Sequence, residues 1–377
     1  MAGIYIHIPF CRKKCHYCNF YSIAGLRHKE DFLVALNKEM VLRKDYLDHD
    51  PIDTIYFGGG TPTLLKQSEI SKILESINHH FHISRDAEIT LEANPDDLIS
   101  GEFQPPSSIC TDINRVSIGI QSFQDEDLSY LGRMHRGKDA VQAIEKAQHC
   151  GIYNLSVDLI FGIPTLSNSK LEENLDILLT LQIPHISAYA LTVESCTVLD
   201  RMIQSGNKQT PEESHTAEQF ELIRRQLTDY AFEHYEVSSY CLPGFQSRHN
   251  TSYWKAVNYL GLGPSAHSYN GVSRQWNKAS VNEYIAGISN GTEVFEKEIL
   301  SDTDRYNEYV MTSLRTSWGC DLSVVSDTFG SSYYDHLIKN MGESTNCLKY
   351  LIREGNSIKV SDEGLLFADA VARDLFF

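Results

Sequence analysis

Three cysteines stand close together near the start of the chain, in Cys11-Arg12-Lys13-Lys14-Cys15-His16-Tyr17-Cys18. Closely spaced thiolates are the usual ligands of zinc or of an iron–sulfur cluster. On a four-iron cluster three thiolates leave one iron open to an exogenous ligand, which suggests chemistry more than clamping. A zinc site completed by His7, His16 or His28 is the structural alternative. Beyond this loop, Gly58-Gly59-Gly60-Thr61-Pro62 closes an apolar run. Its missing side chains would let the backbone approach a small polar ligand, or would simply make a turn. It is not a P-loop, because no GK[ST] follows, and it lacks the GxGxxG spacing of dinucleotide sites.

Further polar residues end successive apolar runs: Glu92, Asn94 and Pro95, then Gln121 and Ser122 with Arg133 shortly after, then Asp158 before Gly162 and Pro164. Carboxylates accept ribose hydroxyls or an ammonium, and Arg133 could pair with a ligand carboxylate. Each could equally be a salt bridge or a strand cap, whereas together they supply what a zwitterionic nucleoside requires. Tyr5 and Phe10 could pack beside the cluster or an adenine, or belong to the core. Later comes His249-Asn250-Thr251-Ser252-Tyr253-Trp254. A histidine among large aromatics can ligate haem iron, or can be a capped loop residue over a core tryptophan. His267 is presented from a second glycine-rich turn, Gly261–Ser268.

The elements that must carry these residues alternate. Strands are expected at 4–8, 53–57, 88–92, 115–120, 155–161 and 186–191, with helices at 31–43, 67–78, 137–150 and 170–181. Six strand–helix units of this kind predict a parallel α/β fold. Polar residues at successive strand ends favour an incomplete barrel, with an open doubly wound sheet as the alternative. A helix at 213–230 and a short strand at 235–239 follow. The stretch 242–271, dense in Gly, Pro, Asn, His and aromatics, reads as functional loop. A second helical region spans about 303–376, with a wing at 356–360 and a closing helix at 362–375. The boundaries expected are therefore 1–235, 236–302 and 303–377.

Size and charge fit this picture. The chain has 377 residues, 42% apolar, with 50 acidic against 33 basic residues and a formal charge of −17. Such a field repels nucleic acid and anionic membrane. The basic run Arg12–Lys14 is read as a contact for an electron donor or anion, or as a solvated face. Six of the nine cysteines, among them Cys110, are scattered. With no secretory leader and no bilayer-length apolar run, the expected compartment is the reducing cytoplasm.

The run Tyr5-Ile6-His7-Ile8-Pro9-Phe10-Cys11 with Cys15 and Cys18 resembles the opening of the coproporphyrinogen dehydrogenase-like branch of radical S-adenosylmethionine proteins. Gly58–Pro62, Glu92–Pro95, Ile118–Phe123 and Asp158–Pro164 match that branch's later motifs in order. The resemblance implies a [4Fe-4S] cluster on Cys11, Cys15 and Cys18, whose open iron takes the amino and carboxylate groups of S-adenosyl-L-methionine. Gly59, Gly60 and Thr61 would hold the methionine moiety, Glu92 and Asp158 the nucleoside end, and Gln121 and Arg133 the rest of the pocket, with Tyr5 nearby. It further implies a partial (β/α)6 barrel and a mostly helical, winged-helix-like accessory domain.

That branch holds an oxygen-independent coproporphyrinogen III oxidase and a haem chaperone. Three features depart from the oxidase: only ten residues precede Cys11, Phe20 stands where the oxidase motif has a further cysteine, and His249–Trp254 resembles the chaperone's HNxxYW motif. Phe20 and His249 therefore join the cofactor-facing residues, with His249 expected on haem iron. The resemblance implies haem binding and delivery to a respiratory haemoprotein, with an electron donor and a homodimer as compatible partners. Whether any substrate is turned over stays open.

Overall fold

The computed structural model describes residues 1–100 and 113–377, so Cys110, one of the scattered cysteines, lies outside the described residues. Its centre is a twelve-stranded sheet. The strands are β1 Ala2–Ile8, β2 Ile52–Gly59, β3 Ile83–Ala93, β4 Arg115–Gln121, β5 Leu155–Phe161, β6 His185–Ala190, β7 Glu233–Glu236, β8 Ser239–Cys241, β9 Tyr259–Leu262, β10 His267–Tyr269, β11 Ser273–Asn277 and β12 Phe295–Ile299. Their spatial order is β12-β11-β10-β9-β1-β2-β3-β4-β5-β6-β8-β7. β9 and β1 to β6 run parallel to one another, while the strands added at both flanks pair antiparallel. Among the described residues no backbone pairing joins β12 to β7.

Period-two alternation gives the parallel strands two unlike faces. Ile4, Ile6 and Ile8 of β1, Leu91 of β3, Val116, Ile118 and Ile120 of β4, and Leu155, Val157 and Leu159 of β5 are all buried on one face. They share one core with Phe32, Leu36 and Met40 of helix Lys29–Arg43 and Ile70, Leu74 and Ile77 of helix Gln67–His80. Ala140, Ala143, Ile144 and Ala147 of helix Gly137–His149 and Leu171, Leu175 and Leu178 of helix Asn168–Thr180 join the same core. Their three- and four-residue spacing is the apolar stripe of a helix lying on a sheet. The opposite face carries Tyr5, His7, Thr54, Tyr56, Glu88, Thr90, Glu92, Arg115, Ser117, Ser156, Asp158, His185 and Ser187. Parallel strands buried on both faces are usually apolar on both. A buried polar face therefore marks where a ligand or its supports must lie.

Several expectations need correction. The strand expected at 235–239 is an antiparallel hairpin of β7 and β8, bent at Val237-Ser238 and closed by stacking of His234 on Tyr240 at 4.1 Å. The loop expected at 242–271 contains helix Arg248–Trp254 and strands β9 and β10. β9 is held by parallel pairing with β1, a contact between segments far apart in sequence. In the carboxyl-terminal region a second core gathers Tyr306, Val310, Leu322, Leu337, Ile358 and Val371. This region is mostly helical, as expected, and adds a three-stranded sheet of β13 Cys320–Asp321, β14 Leu351–Glu354 and β15 Ser357–Val360. The wing read at 356–360 is the second arm of the β14–β15 hairpin. The closing helix is a 3-10 turn, Asp362–Phe367, followed by helix Ala368–Asp374. Gly364 packs where an added Cβ would lie 2.7 Å from that of Tyr350. No helix among the described residues is long and apolar enough to cross a membrane.

Leu175, fully buried where helix Asn168–Thr180 meets the sheet, tests the core assignment. Leu175→Ala should lower stability to unfolding by about 2–5 kcal/mol, read from urea denaturation midpoints. A loss below about 0.5 kcal/mol, the usual size at surface positions, would contradict it.

Candidate functional site

The carboxyl ends of the parallel strands deliver the site. Directly after β1 the chain forms the two-residue strand Phe10–Cys11, paired with Ile23–Ala24, so that Cys15 and Cys18 lie on the excursion between them. The excursion is anchored by His16 N–H donating to Leu131 O at 3.0 Å and Leu199 N–H donating to His16 O at 2.8 Å. All three thiols are free and partly exposed. Burial and then the neighbouring thiols Cys15 and Cys11 push the Cys18 pKa up.

One chain of hydrogen bonds joins this loop to three strands. Thr61 Oγ1 lies 3.6 Å from Cys11 Sγ, and Asn94 Nδ2 donates to Thr61 Oγ1 at 3.0 Å. Arg133 donates through Nη2 to Asn94 Oδ1 and Gly119 O, both at 2.6 Å, and through Nη1 to Cys15 Sγ at 3.5 Å. Burial opposes the charge of Arg133, but Tyr17 and Cys15 outweigh it and raise its pKa. Its Nε is buried without a partner. A guanidinium with an unused buried donor suits a planar carboxylate.

Gly59 and Gly60 are required by close approach. Gly59 has φ +106°, and an added Cβ would meet the His7 ring at 2.6 Å. At Gly60 a Cβ would meet Phe10 O, also at 2.6 Å. The turn thus lets the strand exit of β1 cross directly over the end of β2.

Two carboxyls stand on the polar face. Glu92 accepts from Tyr56 OH at 2.8 Å and from Gly59 N–H at 3.1 Å. Its pKa is pushed to about 7 by burial and, less strongly, by Asp158. Asp158, bonded by Ser117 at 3.4 Å, is pushed to about 6 by burial, with Arg115 opposing. Both residues are half-buried. They can accept ligand hydroxyls or face a cation. Gln121 ends β4 with φ 67° at a register shift, a strained position for a side chain.

His249 lies elsewhere on the same face. Ser247 caps its helix, and Glu88 accepts from His249 N–H at 3.0 Å. The ring is 1% exposed, with Nδ1 2.8 Å from Thr54 Oγ1 and Nε2 2.8 Å from Tyr253 OH. Burial, then Arg115, lowers its pKa to about 3, so the ring is neutral. In this arrangement neither nitrogen is free to meet a metal. Tyr5 joins the two parts of the face: its ring stacks on His249 at 6.4 Å, and its hydroxyl is 3.1 Å from His7 Nδ1.

A cavity of about 1580 Å³ opens beside Tyr5 and His7 and runs to the carboxyl-terminal region. Phe20, 71% exposed, stands on its wall with Tyr253, Trp254, Tyr269, Trp318 and Phe329. It exceeds the roughly 300–1,000 Å³ of ordinary small-molecule sites.

Of the zinc candidates, His7 is held by Tyr5 and by Tyr21 O at 2.8 Å, and His16 Nδ1 by Tyr130 O at 3.2 Å. Among the described residues no three His, Cys, Asp or Glu side chains stand ready for one metal ion. The donor set does suit a thiolate-bound cluster, since the thiols are free and two of them have hydrogen-bond donors beside them. The basic run splits: Arg12 pairs with Asp97 at 2.9 Å, and Lys14 donates to Phe20 O at 3.2 Å. Sequence reasoning missed Arg115, which is 1% exposed and has Nε and Nη2 unpartnered. Its signal was a charge opening an apolar strand in phase with Ser117, Gly119 and Gln121. Tyr56, in phase with Thr54 and Gly58, was missed for want of any signal beyond that phase.

Glu92 and Asp158 both sit above their ordinary pKa. The stability they contribute is therefore fully present below the unfolded values, 4.5 and 3.8, and is lost as pH rises through about 7 and about 6. Glu92→Gln should flatten the fall in urea-unfolding stability between pH 4.5 and 7 relative to the unaltered chain. Equal slopes would refute the burial of an ionising Glu92.

The chain resembles known proteins in sequence and in fold. The radical SAM superfamily pattern matches residues 5–178. The chain is 32% identical to heme chaperone HemW of Bacillus subtilis (strain 168), over 98% of each chain. With HemW of Mycobacterium tuberculosis (strain ATCC 25618 / H37Rv) identity is 33% over 99% of this chain and 94% of that protein. Coproporphyrinogen III oxidase HemN from Escherichia coli, a radical SAM enzyme, matches in structure with TM-score 0.83 at 21% identity, covering 100% of this chain and 90% of that one. That last likeness is one of fold.

Proposed function

Because the chain belongs to the HemW family of radical SAM proteins, we propose that it binds haem and passes it to a respiratory haemoprotein. The observation that carries this is the aromatic-walled cavity of about 1580 Å³, whose wall includes Tyr253 and Trp254 of the HNTSYW segment. A flat, largely apolar macrocycle needs such rings on its faces and cations for its carboxylates. Lys255, on this wall, lies over Trp318 at 5.0 Å and would be the cation for a propionate. His249 enters through Tyr253, whose hydroxyl it holds.

In this reading the parallel strands form a partial (β/α)6 barrel spanning 1–235. A linking region, 236–302, carries the haem segment, and 303–377 is a winged-helix-like accessory domain. Cys11, Cys15 and Cys18 would hold the [4Fe-4S] cluster. S-adenosyl-L-methionine would lie against Gly59, Gly60 and Thr61, with Arg133 toward its carboxylate, Glu92 and Asp158 toward its nucleoside, and Tyr5 and Gln121 along its sides. When bound, cluster and S-adenosyl-L-methionine supply one-electron chemistry. The residues' own part is to orient that ligand: Tyr56 and Gly59 fix Glu92, while Asn94 and Gly119 fix Arg133. The acidic chain works in the cytoplasm, without nucleic acid, as monomer or homodimer, drawing on an electron donor where the cluster is reduced.

The test is anaerobic incubation of cluster-reconstituted protein with haem or coproporphyrinogen, each with reductant and S-adenosyl-L-methionine. Stoichiometric haem retention without vinyl products is expected, and His249→Ala should weaken retention several-fold by freeing Tyr253. Rapid decarboxylation of coproporphyrinogen would instead establish the oxidase reading.

A further inference from the structure

The haem cavity is bordered by two histidines, His7 and His267. They differ in availability. His7 has both ring nitrogens engaged, one by Tyr5 OH at 3.1 Å and the other by Tyr21 O at 2.8 Å. His267 makes no side-chain hydrogen bond among the described residues, and its ring stands exposed against Trp276, 6.3 Å away between centroids. His249 is buried behind the wall with both nitrogens bonded.

The backbone under His267 is held firmly. It opens β10, in register with Trp276 of β11. The preceding residue, Ala266, donates to Gly263 O at 3.2 Å and accepts from Asn277 N–H at 2.8 Å. Gly261 packs so tightly beneath it that an added Cβ would lie 2.0 Å from His267 O. A rigid strand presenting an imidazole with a free lone pair at the wall of an aromatic cavity is the arrangement an axial haem ligand requires.

We propose that His267 is the residue that ligates haem iron in the cavity, with His249 serving as the buried support of Tyr253. The step forms one Fe–N bond and displaces water or another axial ligand, with no change in electron count. This assignment rests on the haem reading above.

The test uses the full chain titrated with ferric haem and followed by absorption and electron paramagnetic resonance. The unaltered protein should give a histidine-ligated spectrum. His267→Ala should lower affinity at least tenfold and shift the Soret band, and added imidazole should restore the band. His267→Met should keep haem with a methionine-type signature, a gain that misfolding cannot produce. His249→Ala should lose affinity yet keep the histidine signature. An unchanged spectrum and affinity in His267→Ala, with the histidine signature lost in His249→Ala, would overturn the assignment while leaving haem binding intact. Failure of the unaltered chain to take up haem would overturn the haem reading, and the ligand assignment with it.

Discussion

A buried sheet face that is polar must satisfy its groups from within, and this constraint shapes the whole protein. An unpaired buried donor or acceptor costs about 1–3 kcal/mol, more than the roughly 0.5–1.5 kcal/mol that a made hydrogen bond returns. The pairs therefore run from strand to strand, Tyr56 with Glu92, Ser117 with Asp158, and Ser156 with His185 at 2.7 Å, and from strand to helix, Thr54 with His249. His185 in turn reaches Tyr235 OH at 2.8 Å. Register makes this feasible, because Ser117 lies beside both Glu92 and Ser156, and Asp158 beside Ser187.

The exceptions are informative. Arg115 and Arg133 keep buried nitrogens without partners, and Thr90 keeps a buried hydroxyl. Arg133 stands where the cysteine loop, the end of β3 and the end of β4 converge, so its spare donor lies where a bound carboxylate would complete it. Arg115 lies deeper: burial holds His249 and His185 neutral and the Arg115 guanidinium adds to that effect, while it opposes the upward push of burial on the Asp158 pKa.

Tyr5 and His7 belong both to the polar face and to the wall of the large cavity. They make the cluster-side pocket and the haem-sized cavity physically contiguous through packed rings: Tyr5 on Tyr56 at 6.1 Å, and Tyr56 on His249 at 5.0 Å. The cavity's far wall comes from the carboxyl-terminal region, whose own core lies behind it.

The alternation of apolar and polar residues by itself determined the six parallel strands, the amphipathic helices, and the thiolate loop with the polar strand ends, since these are local periods and spacings. Strand β9 was not legible, because a four-residue apolar run becomes a strand only when β1 stands beside it. The break of the 235–239 segment into a hairpin, and the strands hidden in 320–360, depend in the same way on distant partners. The sites divide along the same line. The cysteines, Thr61, Glu92 and Arg133 announce themselves by type and position. That His249 is closed off while His267 is open is invisible in sequence, because whether a nitrogen is free is decided by which side chains from other elements reach it.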